Sequence, residues 1–316
     1  MNKILITKPI VERGLAAIRE CGDVTVADSI SAEELAEAVT KYDAIVSMLT
    51  DKFTDEIFQK AKGGPLKIVA NYAVGYDNID VKAANAASIW ATNTPEVLTE
   101  ATAEMAWALL FAIARKIPVG DAMVRPGTWK GWNPTQLVGG GVSHKTVGII
   151  GAGRIGQAFG RMGAGFGIKI LYHNRNANPS FEGATGAQYV PLETLMAESD
   201  FVSVHLPASP ETKHMISSEM IAKMKTTAYF ISTGRGNVID EPALTLALKE
   251  NRIAGAALDV YEFEPAVNAD LLKLDNVVLA PHLGSATVER RMAMAERCAQ
   301  NIQAATKNDP PLDALK

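Results

Sequence analysis

Cysteine is scarce: Cys21 and Cys298 are the only two among 316 residues. They form no C-x-x-C pair, which excludes a zinc knuckle or a thioredoxin-like motif. Two free thiols suit a reducing compartment. Neither sign of charge dominates, with 31 Lys and Arg against 35 Asp and Glu and a net charge of −4. Without a basic stripe the chain lacks the means to meet nucleic-acid phosphates or an anionic membrane surface. Long hydrophobic runs are missing too. The longest, residues 105–114, falls short of the roughly 20 residues that span a bilayer. The opening MNKILITKPI has no apolar core of a signal peptide. A cytoplasmic protein with neither nucleic-acid nor membrane partners is expected. The five histidines are scattered, without H-E-x-x-H or H-x-x-E-H spacing, and no G-x-S-x-G is present. Zinc hydrolysis and acyl transfer are therefore disfavoured, and no metal is expected.

With 47% hydrophobic and 21% charged residues, the composition is that of a globular chain. At about 150 residues per domain, the length implies two domains. Short apolar, β-branched runs at 3–7, 24–27, 44–48, 67–70 and 88–91 alternate with helical patterns such as 32–40 and 55–61. A second series of strands follows at 146–150, 169–173, 201–205, 228–232, 255–258 and 277–280. Such alternation predicts two α/β domains, each a doubly wound parallel sheet. A helix predicted over about 288–307 follows the second series. Packed back onto the first domain, it would make that domain discontinuous, 1–98 with 287–316, around a second domain over 99–286.

Between the two series, Thr94-Pro95 has the look of a helix start, and a helix is predicted over about 96–122. Its middle, 103–114, is apolar on nearly every face and needs cover all round. A core position between the domains and burial in a homodimer both satisfy that need. The stretch 124–142, with Pro126, Gly127, Gly131, Pro134, three successive glycines, Trp129 and Trp132, reads as a long irregular connection.

The sharpest local signal is Thr146-Val-Gly-Ile-Ile-Gly-Ala-Gly-Arg-Ile-Gly156. Gly151, Gly153 and Gly156 fit G-x-G-x-x-G between a strand and a helix, as a dinucleotide site requires. The first glycine makes the tight turn, the second admits the pyrophosphate, and the third lets helix and strand pack closely. The helix N-terminus presents unpaired N–H groups to the phosphates. Arg154 and Ile155 begin that helix, and Arg154 could add positive charge there. An NAD site places an acid about 20 residues on, at the end of the next strand. Here that stretch reads Ile170-Leu-Tyr-His-Asn-Arg-Asn176, and the first acid after Gly156 is Glu182. Asn174 and Arg175 instead suit a ribose 2′-phosphate. NADP(H) is the expected cofactor, with NAD(H) also usable.

Three further segments each end a predicted strand: Ile231-Ser-Thr-Gly-Arg235, Leu258-Asp259-Val-Tyr-Glu-Phe-Glu264-Pro and Leu279-Ala-Pro-His282. Ligands gather at the carboxyl ends of parallel strands, so Arg235, Glu264 and His282 are candidates for one crevice. Their types suit hydride transfer to a 2-oxo acid. Arginine offers paired donors to carboxylate and keto oxygens, histidine exchanges a proton near neutrality, and a carboxylate behind the imidazole orients it.

A glycine fingerprint, an Arg-Gly segment, a Leu-Asp-Val…Glu-Pro segment and a Pro-His segment occur in this order across essentially the whole chain. In this the sequence resembles the D-isomer-specific 2-hydroxyacid dehydrogenases. The resemblance implies a Rossmann cofactor domain inserted in a flavodoxin-like substrate domain, and a homodimer formed through the cofactor domain. It makes Arg235 the substrate-binding arginine, His282 the acid/base and Glu264 its partner, with Glu262 two residues earlier competing for that place. Asp259 would lie near the cofactor. Thr102 matches a cofactor-touching position, and further cofactor contacts are expected at His205, Pro207, Thr212, Thr233, Gly234 and Gly284. The first domain's loop Asn71-Tyr-Ala-Val-Gly75 would bind the substrate carboxylate at Val74 and Gly75 through open backbone N–H groups. Leu49 and Thr50 would border that pocket. Trp132 would either line the pocket, in its own or a neighbouring subunit, or pack under a loop.

Ala70-Asn-Tyr-Ala-Val-Gly-Tyr-Asp-Asn-Ile-Asp80 and Tyr172-His-Asn-Arg175 look most like glyoxylate and hydroxypyruvate reductases, and like 2-ketogluconate reductases. Reduction of glyoxylate to glycolate and of hydroxypyruvate to D-glycerate is thus the expected activity. Two other readings stand beside it. One is a dehydrogenase for another acid of the 2-ketogluconate, lactate or phenylpyruvate type; the other is a non-enzymatic, dinucleotide-sensing corepressor-like protein. The joint presence of Arg235, Glu264 and His282 weighs against the last. A two-domain enzyme of this kind should hinge where the chain crosses, near 94–100 and 284–290.

Overall fold

A computed structural model describes all residues, 1–316. The chain forms two compact units, Met1–Leu98 with Ser285–Lys316, and Thr99–Gly284. The second crossover thus falls between Gly284 and Ser285, two residues earlier than the sequence suggests.

In the first unit, β1 (Lys3–Ile6), β2 (Asp23–Val26), β3 (Ala44–Ser47), β4 (Ile68–Asn71) and β5 (Trp90–Thr92) form one parallel sheet in the order β2-β1-β3-β4-β5. β3 and β4 are buried along their whole length, as strands covered on both faces must be. The helices are α1 (Glu12–Arg19), α2 (Ala32–Ala38), α3 (Asp55–Ala61) and α4 (Val81–Ala86). Ser31 starts α2 through a capping box with Glu34, and Asp80 caps α4 on the Ala83 N–H. The chain returns to this unit late, in the helix Val288–Thr306, which is capped by Thr287 and packs on α1 and β4. Gly14 of α1 approaches it so closely that a β-carbon would lie 2.7 Å from the Ala295 Cβ. Residues beyond it bridge Thr92, and the Leu315 N–H donates to the Ala91 carbonyl, covering the edge strand β5.

In the second unit, α5 (Thr99–Ala114) and α6 (Ile117–Val124) precede seven strands. These are β6 (Thr146–Ile150), β7 (Lys169–His173), β8 (Gln188–Tyr189), β9 (Phe201–Val204), β10 (Tyr229–Ser232), β11 (Gly255–Leu258) and β12 (Val277–Leu279). The order β12-β11-β10-β9-β6-β7-β8 is parallel throughout, and reverses direction between β6 and β9. That is the doubly wound arrangement, with its crevice at the switch point. The interstrand helices are α7 (Arg154–Met162), α8 (Pro179–Thr185), α9 (Leu192–Glu198), α10 (Ser218–Ala222) and α11 (Glu241–Lys249). The late helix of the first unit is α12.

The alternation of the sequence is realised as two parallel α/β sheets. The predicted helix over 96–122 is corrected at both ends. Thr94 does not cap it: its N–H bonds to the Ala73 carbonyl, Glu96 is left-handed at φ 71°, and α5 begins at Thr99. Lys116, at φ 53°, then breaks the helix before Pro118, which has no N–H to give the Ala114 carbonyl; that carbonyl accepts from the Gly140 N–H instead. The apolar middle of α5 is core of the second unit, covered by β10, β11 and β12 and by α7. α6 buries none of its residues. The two-residue strand β8, exposed at both positions, carried too little pattern to be predicted.

Candidate active site

Each unit carries predicted residues at the carboxyl ends of its strands. In the second unit, β6 runs into Gly151, left-handed at φ 93°, whose N–H bonds to the His173 carbonyl. Gly153 is the residue before α7, and a β-carbon there would project into open space. At Gly156 it would lie 2.2 Å from the Gly151 carbonyl oxygen. Turn, open approach and close packing are thus divided among the three glycines as a dinucleotide pyrophosphate requires. The exposed Arg154 and the half-buried Ile155 begin α7.

Beyond β7, Asn174 is half-buried and Arg175 exposed. The His173 ring stacks on Tyr189, and the Tyr189 hydroxyl donates to the Asn174 carbonyl at 3.2 Å. Glu182 is turned back onto the Tyr172 hydroxyl at 2.7 Å. Arg175 is therefore the only charged side chain on the loop 174–178.

Beyond β9, His205 turns its ring inward. Its nitrogens meet Ser203 Oγ at 2.9 Å and Thr233 Oγ1 at 3.3 Å, and its ring centroid lies 5.2 Å from that of Phe159. Burial pushes its pKa down to about 3, so the ring is neutral. Thr212 knits the following loop, its hydroxyl bonding to the Pro207 carbonyl at 2.8 Å. Gly234 has no room for a side chain against Leu206.

Arg235, Glu264 and His282 come together. The Glu264 carboxylate accepts from the Tyr261 N–H at 3.0 Å and from His282 Nδ1 at 2.9 Å. Burial alone would raise its pKa. The hydrogen bond and charge of His282, the Tyr261 N–H and the Arg235 guanidinium outweigh burial and hold it below the ordinary carboxylate range. Glu262 is engaged elsewhere: it pairs with His214 Nε2 at 2.6 Å and is nearly buried. Geometry therefore gives the His282 contact to Glu264.

His282 is left-handed at φ 57°. The N–H groups of the next two residues, Leu283 and Gly284, donate to the two oxygens of Asp259 at 2.7 and 2.8 Å. Asp259 is 1% exposed. Its burial raises its pKa more than these N–H groups and His282 lower it. Its carboxylate is spent on the backbone behind His282. Thr102, on α5, braces the same turn by donating to the Gly284 carbonyl at 3.2 Å.

Two contributors escaped sequence reading. His214 holds Glu262 from 48 residues away. The buried Glu241, at the start of α11, accepts from the Glu262 and Asn268 N–H groups at 3.0 and 3.2 Å and so spans the loop that carries Glu264. Separations of 21 to 48 residues leave no local pattern. Trp132 is 83% exposed and packs under no loop of its own chain. No group of three or more His, Cys, Asp or Glu side chains is placed to hold a metal ion, and no helix is long and apolar enough to cross a membrane.

In the first unit, Leu49 and Thr50 follow β3, and Lys8 Nζ donates to the Thr50 hydroxyl at 3.2 Å. Val74 and Gly75 follow β4, half-buried. Their carbonyls accept from Asn93 Nδ2 and Asn71 Nδ2, both at 2.7 Å.

Residues 107–284 match the family model described as D-isomer specific 2-hydroxyacid dehydrogenase, NAD binding domain. The glyoxylate reductase of Thermococcus litoralis is 48% identical over 316 residues, covering 98% of this chain and 95% of the relative. That of Korarchaeum cryptofilum is 49% identical over 314 residues, covering 98% and 94%. Among solved structures, the NADPH-dependent glyoxylate/hydroxypyruvate reductase of Sinorhizobium meliloti, in complex with NADP and malonate, is 33% identical. Its TM-score is 0.88 over 99% of this chain and 96% of that one.

Proposed function

Since the chain belongs to the D-isomer-specific 2-hydroxyacid dehydrogenases, we propose that it reduces small 2-oxo acids, glyoxylate and hydroxypyruvate first among them, with NADPH. The observation that carries this reading is the 2.9 Å bond between His282 Nδ1 and Glu264 Oε2. An ionised carboxylate only accepts, so Nδ1 carries the proton. Nε2 is then the nitrogen that exchanges a proton with substrate. Glu264 fixes the ring and its orientation, and in the protonated ring Nε2–H donates to the carbonyl oxygen and is transferred as negative charge develops there. Arg235 offers paired donors to the same oxygen and to the acid's carboxylate. Asp259 and Thr102 hold the turn behind His282. Val74 and Gly75 seat the carboxylate on backbone N–H groups.

The cradle of Gly151, Gly153 and Gly156 and the start of α7 fit a dinucleotide pyrophosphate. The nicotinamide, when bound, supplies the hydride to the carbonyl carbon. Arg175, with no acid at the end of β7, supports NADPH over NADH. α6 and the stretch after it carry exposed Ile117, Val124, Trp129, Trp132 and Val138. A second copy covering them would make the homodimer and bring Trp132 to its partner.

Initial rates with glyoxylate and hydroxypyruvate, each with NADPH and NADH, test the proposal. Turnover of either acid with NADPH, abolished in His282→Gln while NADPH still binds, is the expected result. Turnover with NADH alone would overturn the cofactor assignment. Dinucleotide binding with no turnover of either acid would overturn the substrate assignment. Sedimentation tests the dimer: wild type should run at twice the chain mass, and Trp129→Ser with Trp132→Ser should shift it toward the monomer.

A further inference from the structure

We propose that Asn71 and Asn93 are positioning residues that turn two successive peptide units of the substrate loop so that both N–H groups face the carboxylate. The inference rests on the reading of the Val74–Gly75 loop as the carboxylate seat, and the donors it assigns are the N–H groups of Gly75 and Tyr76.

The geometry begins with the planarity of the peptide. In a trans peptide, C=O and N–H point in opposite directions. The peptides on either side of Gly75 are trans, the single cis bond of the chain being Glu264–Pro265. The Val74 carbonyl is captured by Asn93 Nδ2 and the Gly75 carbonyl by Asn71 Nδ2, each at 2.7 Å. Capturing the Val74 carbonyl turns the Gly75 N–H away from Asn93. Capturing the Gly75 carbonyl likewise turns the Tyr76 N–H away from Asn71. Neither N–H donates to another backbone or side-chain acceptor of this unit. Two adjacent, outward N–H groups with no internal acceptor form the kind of concavity that takes an anion.

The clamps are themselves held. Asn71, at the end of β4, is 0% exposed, and Asn93, just beyond β5, is 9% exposed. Asn71 Oδ1 accepts from Ser47 Oγ at 3.1 Å and from Asn78 Nδ2 at 3.2 Å. This fixes which end of the amide faces the loop. Asn78 Nδ2 in turn donates to the Met48 and Asp51 carbonyls at 3.1 and 3.0 Å. The Asn71 amide is thus anchored in the sheet, and the loop is oriented by it and by the buried Asn93. A loop set in advance need not be ordered when substrate arrives. Leucine or aspartate of similar size at either position would leave a carbonyl without a donor or opposed by a negative charge.

The experiment measures glyoxylate KM and kcat with NADPH, competitive inhibition by oxamate, NADPH affinity and thermal melting. The variants are Asn93→Ala, Asn71→Ser and Tyr76→Pro. Asn93→Ala should raise both glyoxylate KM and oxamate Ki by about tenfold, the loss of one well-placed charge-assisted hydrogen bond. kcat should stay within about twofold, and NADPH affinity should not change. A merely structural role would lower the melting point without separating KM from kcat. Asn71→Ser, which shortens the donor, should act in the same sense and serves if Asn93→Ala does not fold. Tyr76→Pro removes one of the N–H groups itself and must also raise both constants. If Tyr76→Pro weakens glyoxylate and oxamate while both asparagine variants bind them as wild type does, the positioning role is refuted and the seat survives. If all three variants bind both ligands normally, the seat itself is refuted.

Discussion

Replacing Gly236 with alanine adds one methyl group at the point where the arginine segment meets the loop bearing Glu264. A β-carbon at Gly236 would lie 1.9 Å from the Tyr261 carbonyl carbon, 2.0 Å from its oxygen and 2.4 Å from the Glu262 nitrogen. All three are backbone atoms and cannot rotate away. Ordinary carbon contacts begin near 3.4 Å, so the loop must retreat by about 1.5 Å. Gly236 is not left-handed, so the cost is steric rather than conformational. The retreating segment carries the Tyr261 N–H that holds Glu264 and the Glu262 N–H that is held by Glu241. Overpacking costs about 1–3 kcal/mol, and each strained hydrogen bond adds about 1 kcal/mol. Glu264 moved by an ångström no longer meets His282 at 2.9 Å, and misplacement of that size costs about a hundredfold in rate. Gly236→Ala should therefore melt several degrees lower and lose about a hundredfold in kcat/KM for glyoxylate. NADPH binding, measured by fluorescence, should persist, because the cradle at β6 is untouched. A variant with wild-type melting and turnover within twofold would refute the steric reasoning.

Glu264→Gln puts a neutral amide where the carboxylate accepts from His282 Nδ1 and should lower kcat for glyoxylate reduction by about a hundredfold with NADPH affinity unchanged; turnover within twofold of wild type removes Glu264 from that role. Arg175→Ala should reduce the preference for NADPH over NADH by tenfold or more while leaving glyoxylate KM unchanged, measured as the ratio of the two kcat/KM values. His205 should make the fold acid-sensitive. Its pKa falls from 6.5 to about 3 on folding, so between those values the unfolded chain binds a proton that the folded chain does not. Stability is therefore lost as pH falls below 6.5, by about 2 kcal/mol at pH 5. The residue keeps some accessible surface, which shortens this window at its acid end. Urea melts of wild type and His205→Asn at pH 7.5 and 5 measure the difference, and equal acid losses would refute it.

The fold was legible because parallel strands buried on both faces become runs such as Ala44–Ser47 and Phe201–Val204, which stand out in any sequence. The glycine cradle was legible because three backbone constraints fall within six residues. Arg235, Glu264 and His282 were legible as residues that follow strand ends. In the sequence, the preference for Glu264 over Glu262 rests on the Glu-Pro pairing alone, and what engages Glu262, the His214 of another loop, was not legible. Nor was the true start of α5. Thr94 and Pro95 look like a cap from their own chemistry, but the Thr94 N–H is claimed by Ala73. Asn71 and Asn93 lay within or beside the quoted motifs, yet a sequence does not show whether an amide faces a strand or a loop.

The return of α12 to the first unit bears on how the protein is made. Gly14, Leu15 and Ile18 of α1 are buried, and Gly14 lies against Ala295 of α12. On the ribosome, α1 emerges long before its cover. The whole stretch Thr99–Gly284 must be translated in between, which at about 5–20 residues per second takes roughly ten to forty seconds. The cofactor unit is one uninterrupted segment and can complete itself as it emerges. The first unit waits with an apolar face uncovered. Nascent chains truncated before Val288 should be bound by chaperones through that face, and release should follow synthesis of α12.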